Sequence, residues 1–300
     1  MKPTIPYPGD NKFRAQARKH QSDFREKVLR IDYDSNDRRA IYGNVIPSEA
    51  AKQGLIFFEG FRDHILSVAR KRYGKISGKA LYSNLLRSEH IPLNIFSPMG
   101  KNLQKAVELF KEIIGQPIAS IKSIHIEYAG KDDPKYYLKD RTSFDAFISY
   151  ITEDQRKGGI GIEVKYTEVG YKIGDKESKD INSDDHPYRL ITRECGYYNN
   201  PEDKDLHKDH LRQIWRNHIL GAAMVGHGDI EIFHCIHLYA SKNTHFHDEA
   251  IPEYLTKLTD IGRKSFIPLT YEDLFDLMSK YFTDPKEVDW IEYLRKRYLF

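Results

Sequence analysis

The spacing of apolar positions changes partway along the chain, and that change divides it. Between Asp10 and Leu29, the residues Phe13, Ala17, Phe24, Val28 and Leu29 recur on or near one stripe at helical spacing, which predicts a basic amphipathic helix. Residues 32–47 are polar, rich in turn formers and without clear period, and read as a connection. Ser48 offers an N-cap with Glu49 in the first turn. A helix is therefore expected from there through Phe57, Phe61, Ile65 and Val68, with a break at Gly54 or Gly60. After the glycine-containing stretch 70–79, the spacing predicts a short helix from Leu81 to about His90, limited by Pro92, and another from about Asn102 to Ile114.

From there the period falls to two. SIHIEYAG (123–130), SFDAFISYI (143–151) and GGIGIEVKYTE (158–168) are rich in β-branched and aromatic residues and are separated by turn signals, so they read as strands. The third places Ile160, Ile162, Val164 and Tyr166 on one face and Gly161, Glu163, Lys165 and Thr167 on the other. The long polar stretch 170–203 is expected to be a surface loop. A helix over Lys204–Val225, a strand over Ile230–Tyr239 and helices near 248–260, 271–281 and 286–299 complete the pattern. It describes one α/β domain, bordering on α+β, with a basic helical region over 1–80 elaborating a core over 81–300.

Composition narrows the class without identifying the protein. At 300 residues, 40% hydrophobic and 12% aromatic, the chain can bury a sizeable core and is not disordered. No window approaches the roughly 20 apolar residues of a membrane span. The opening residues place no apolar core behind their basic ones, so no secretory signal is expected. Cys195 and Cys235 make neither a disulfide framework nor a CxxC pair, and the expected setting is reducing and cytoplasmic. The net charge of +3 conceals segregation. Residues 1–30 hold eight Lys/Arg against three Asp/Glu, and residues 62–79 hold six against one, leaving the remainder clearly acidic. Phosphate contacts on one side suit that distribution, and so do two solvated helical faces.

The chemistry concentrates around the turn 152–159. A hairpin centred near Asp154 sets Asp145 across from Glu163 on one face, with Lys165 two residues beyond on the same face. Facing carboxylates repel unless a cation lies between them, and Mg²⁺ is the natural resident for hard oxygen donors. An ordinary cross-strand Glu–Lys pair on a solvated face is the bland alternative. The apolar flanks of IGIEVKY and the aromatic flanks of SFDAF weigh against it.

Asp145 followed by Glu163-Val164-Lys165 resembles the PD-(D/E)xK nuclease superfamily, whose fold is restriction-endonuclease-like. LLRSEHIPLNIFSP (85–98), RTSFDAFISY (141–150), GIGIEVKYTE and LRQIWRNHIL (211–220) are similar to a restriction-endonuclease subgroup, and the likeness runs from about Tyr42 to Tyr239. No proline precedes Asp145, where the motif's name would place one. The resemblance implies a mixed central sheet flanked by helices and a nuclease core over 81–300. It implies Asp145, Glu163 and the Val164 carbonyl as metal ligands and Lys165 as the catalytic lysine. Glu89 resembles a helical glutamate that supplements the metal site, and Gln213 a helical glutamine near the catalytic face. His210, Gln213 and Asn217 share one polar stripe, which solvent exposure explains equally well. Glu168 is not expected to reach the metal.

The expected activity is Mg²⁺-dependent hydrolysis of DNA phosphodiester bonds, with Mn²⁺ able to substitute, in a restriction-type role. A structure-selective or repair nuclease and a non-catalytic nucleic-acid-binding protein on the same scaffold are the alternatives. Double-stranded DNA is the expected partner, and the restriction role adds a homodimer and a cognate methyltransferase. Arg14, Arg18, Lys19, Arg70, Lys71 and Arg72 are candidate backbone contacts. A rival reading is zinc, since eight histidines fall between His207 and His247. However, neither HExxH nor a cysteine pair accompanies them.

Overall fold

The computed structural model describes residues 5–33, 41–74 and 82–300. Five strands form one sheet in chain order: β1 (Ile118–Tyr128), β2 (Phe144–Thr152), β3 (Lys157–Val164), β4 (Ile232–Tyr239) and β5 (Phe266–Thr270). The first two pairings are antiparallel and the last two parallel, so the sheet is mixed. The β2–β3 hairpin pairs Ala146 with Ile162 and Ile151 with Lys157, which is the register expected from the sequence. The ladder stops at Ala146, and the same register carried one step further would set Asp145 against Glu163.

Alternation along the strands feeds two cores. Ile148, Ile160, Ile162, Val164, Ile236 and Leu238 enter one, and Phe147, Phe233, Cys235 and Tyr239 enter the other. The first core is covered by α1 (Lys12–Phe24), α2 (Ser48–Lys52), α3 (Arg62–Tyr73), α4 (Ile91–Met99) and α5 (Leu103–Ile114). Two late helices, which we label α11 (Tyr271–Tyr281) and α12 (Pro285–Tyr298), close the same side. The second core lies under α6 (Asp175–Ile181), α7 (Pro187–Glu194), α8 (Arg212–Gly226) and α9 (Ile251–Lys257), and α10 (Asp260–Ser265) leads into β5. Helices on both faces of a mixed sheet make this an α/β fold. Phe13, Ala17, Ile46, Phe57 and Ile65 share the first core with the strands, so the N-terminal helices are built into it. The expected boundary near residue 80 and part of the 32–47 connection lie outside the described residues.

Several sequence expectations need correction. No helix runs up to His90. Residues 82–90 form turns pinned by Asn84, which bridges Val45 and whose side chain accepts from Asn44 at 2.6 Å and from the Leu86 amide at 3.1 Å. Pro92 opens α4 rather than limiting a preceding helix, because a proline's missing N–H costs nothing in the first turn. The 170–203 stretch is not a plain surface loop. It holds α6 and α7, and Ile181, Tyr188, Tyr197 and Tyr198 are buried, while Tyr171, Ile173 and Leu190 stay exposed. The expected helix from Lys204 begins as a short 3₁₀ turn, with α8 starting only at Arg212. β1 begins five residues earlier than expected, with two register shifts against β2, and β3 ends at Val164, before Lys165. β5 carries little signal in the sequence because Pro268 interrupts a short five-residue strand, a feature an edge strand tolerates.

Close approach of α8 to the sheet depends on Gly221. A Cβ there would stand 2.0 Å from the Phe233 ring. Alanine normally gains about 1 kcal/mol over glycine inside a helix. Here we expect Gly221→Ala to destabilise by about 1–3 kcal/mol, the usual range for overpacking. Urea unfolding checks the sign, and a more stable variant would mean that α8 can shift at no cost.

Candidate active site

Core packing and backbone anchoring together fix the carboxyl end of β3. Ile160, Ile162 and Val164 must face the first core, which turns Glu163 toward α8. The next residues leave the strand but are pinned at each step. The Lys165 amide donates to the Leu238 carbonyl at 2.8 Å, and the Lys165 carbonyl accepts from the Tyr271 hydroxyl at 3.0 Å. The Tyr166 hydroxyl accepts from Gln21 of α1 at 2.8 Å, and its carbonyl accepts from Asn243 at 3.1 Å. Glu168 accepts the amides of Ser88, Tyr166 and Thr167 at 3.0, 2.9 and 3.1 Å. Its carboxylate thus ties down the segment and leaves the site to others.

Glu163 is buried and carries three donors. The Lys165 ammonium and the Gln213 side-chain amide each donate to Oε1 at 2.5 Å, and Asn217 donates to Oε2. Gln213 and Asn217 are one turn apart on α8, so one face of that helix clamps both carboxylate oxygens. Opposite, Asp145 Oδ2 accepts the Val164 amide at 2.7 Å, which ties the two strand ends together where ladder pairing stops. Burial, and then the charge of Glu163, push the Asp145 carboxyl well above its ordinary range, against the pull of Lys165 and of the Val164 amide. Burial alone would lower Lys165. The carboxylates of Glu163 and Asp145 outweigh it and hold the ammonium above its usual value.

A third carboxylate escaped the sequence reading. Glu127, at the end of β1, has a left-handed backbone (φ 54°) and accepts from the Ser143 hydroxyl at 2.9 Å. Burial, offset by Ser143 and reinforced by Glu163, raises its carboxyl. Strand alternation gave no signal for it. Asn217 was legible only as part of a polar stripe that solvent would have explained equally well.

The other candidates separate. Glu89 is not on a helix but in the turn before α4. Its Oε1 accepts from Arg87 at 2.8 Å, while Oε2 is buried and finds no partner among the described residues. Arg18 is buried, with Nε and Nη2 on Asp10 at 2.6 and 2.9 Å and Nη1 on Asn44 at 2.6 Å. That commitment removes Arg18 from the backbone contacts. Arg14 and Lys19 lie exposed on the same helix, paired with Asp10 and Asp23. Arg70, Lys71 and Arg72 are exposed on the last turn of α3, where Arg72 Nε donates to the Glu127 carbonyl at 2.7 Å.

The histidines have separate surroundings. His218 bonds Tyr254 and Ser265 at 2.9 and 2.7 Å in the second core, where burial lowers it to about 3. His210 lies on Glu253 at 2.8 Å and His245 on Glu249 at 3.7 Å, while His237 is buried on β4. Among the described residues, no three His, Cys, Asp or Glu side chains stand where they could together hold a metal ion. Asp145 and Glu163 supply two hard oxygen donors. One ammonium, held on Glu163, serves both carboxylates. The donor set fits a divalent ion.

A model of the PD-(D/E)XK nuclease superfamily matches residues 8–300. No curated protein and no solved structure gives a match. Among the described residues, no helix is long and apolar enough to cross a membrane.

The strained carboxylate predicts its own relief. A carboxyl raised above its unfolded value favours folding at low pH and opposes it once pH passes the folded value. In EDTA at pH 7, Asp145→Asn should therefore melt higher than the unaltered chain by about 2–4 °C, the shift expected for about 1 kcal/mol. The gap should narrow as pH falls. A lower melting temperature at pH 7 would show that the charge of Asp145 is already compensated.

Proposed function

The chain belongs to the PD-(D/E)XK nuclease superfamily, and from that premise we propose that it is a Mg²⁺-dependent DNA endonuclease with a restriction-type role. The observation that supports this most is the opposed pair Asp145 and Glu163 with the Lys165 ammonium 2.5 Å from Glu163. Asp145, Glu163 and the Val164 carbonyl would hold the ion, with Glu89 as a supplementary ligand. Bound there, it would neutralise charge on the scissile phosphate and acidify water, and Mn²⁺ would serve in its place.

The chain's own residues divide the remaining work. Gln213 and Asn217 hold the plane of the Glu163 carboxylate, so its free electron pairs keep one direction. Lys165 exchanges its contact with Glu163 for a substrate oxygen or the attacking water, and its raised proton affinity keeps it cationic beside the phosphorus. Arg14, Lys19, Arg70, Lys71 and Arg72 are proposed contacts to the DNA backbone, which set affinity more than sequence choice. Cutting both strands of a palindrome would bring two copies together, and a methyltransferase would protect the host's own sites.

Supercoiled plasmid incubated with Mg²⁺, with Mn²⁺ and with EDTA tests this reading. We expect discrete fragments with either metal and none in EDTA. Nicks or junction-only cuts would assign a structure-selective nuclease, and binding without cutting a non-catalytic protein. Lys165→Ala should lose cleavage by about 10²–10⁴-fold, the usual worth of a positioned proton-transfer group. It should keep DNA affinity in Ca²⁺. A variant that cuts at the original rate would remove Lys165 from the chemistry.

A further inference from the structure

Beside the carboxylates opens a cleft of about 560 Å³, lined by Arg72, Glu127, Lys135, Arg141, Ser143 and the Asp133–Pro134 turn. Its cations come from two separate parts of the chain. Arg72 arrives on the last turn of α3, held by its bond to the Glu127 carbonyl at 2.7 Å. Lys135 and Arg141 are exposed on the β1–β2 connection. That connection is anchored rather than loose. The Tyr137 hydroxyl donates to Asp229 at 2.5 Å, Lys131 pairs with the same aspartate, and Asp140 accepts from Arg216 at 2.6 Å and from Tyr188. The two cations are thus presented from a fixed frame.

A second observation comes from α3. The Tyr73 hydroxyl is buried and has no hydrogen-bond partner among the described residues, although it lies within electrostatic reach of Glu127 and Asp145. Burial, reinforced by these carboxylates, raises it and keeps it protonated. Against the cations stand Glu127 on the cleft floor and Asp133 on its rim. Three cations against two carboxylates leave the cleft an excess of positive charge.

We propose that this cleft, resting on the nuclease reading above, seats the sugar-phosphate backbone of the strand being cut, next to the scissile phosphate. Arg72, Lys135 and Arg141 serve as its cations. The substrate then enters over the β1–β2 connection and the end of α3.

The test is fluorescence anisotropy of a labelled mixed-sequence duplex with the full chain in Ca²⁺, across a salt series. Lys135→Ala with Arg141→Ala should weaken binding and make the slope of log K against log salt shallower by about two, since each removed cation no longer neutralises a phosphate. Glu127→Gln should tighten binding, because it removes an anion from the cleft floor. Circular dichroism melting of each variant guards against loss of fold, which is not expected for two exposed side chains.

If the double variant binds and responds to salt like the unaltered chain, while that chain still cuts plasmid, the cleft is not the backbone seat and the nuclease reading stands. Should binding depend on the cleft while no metal supports cutting, the subsite stands and the catalytic reading falls. Weakening only with Arg14→Ala and Lys19→Ala would move the path to α1 and overturn the proposal. A chain that binds no duplex at all overturns both.

Discussion

The burial of one carboxylate governs the design of this molecule. Glu163 stands on a strand whose neighbours must enter a core, so its charge is carried out of water by the same alternation that builds the sheet. An isolated buried carboxylate would cost several kcal/mol. Lys165, Gln213 and Asn217 offset that cost with three donors, two of them from a single helix. The packing of α8 on the sheet, permitted by Gly221 against Phe233, is therefore also what completes the site.

Asp145 is less well served. It takes the Val164 amide but gains no cation of its own, because the nearby lysine is drawn to Glu163. The resulting imbalance is a store of electrostatic strain at the end of the hairpin. Active sites commonly hold such strain, with stability supplied by the rest of the fold. Here it comes from two cores of aromatic and aliphatic residues on either side of the sheet.

The helices before the sheet serve this centre from a distance. Gln21 of α1 reaches the Tyr166 hydroxyl, next to Lys165, and also donates to the Arg297 carbonyl of α12 at 2.5 Å. One buried amide thus links both ends of the chain to the segment that carries Lys165. Arg18 holds the same helix to Asp10 and Asn44. Its charge looked available for phosphate in the sequence, but it is used to build the frame.

The hairpin register was legible from the sequence alone, because period-two alternation and a tight turn leave one pairing that buries Ile160, Ile162 and Val164 together. Opposition of Asp145 and Glu163 followed from it, as did the α/β class and the late helices. Other features depended on contacts between distant segments. Pro268 lies in an edge strand because nothing on that side needs its amide. The 170–203 stretch folds because Ile181, Tyr188, Tyr197 and Tyr198 find a common core, which no local window reveals. Glu127, Tyr73 and the Arg72–Lys135–Arg141 rim carry no periodic mark. They meet only because β1, α3 and the β1–β2 connection converge beside the end of β3, and charge acts through space rather than along the chain.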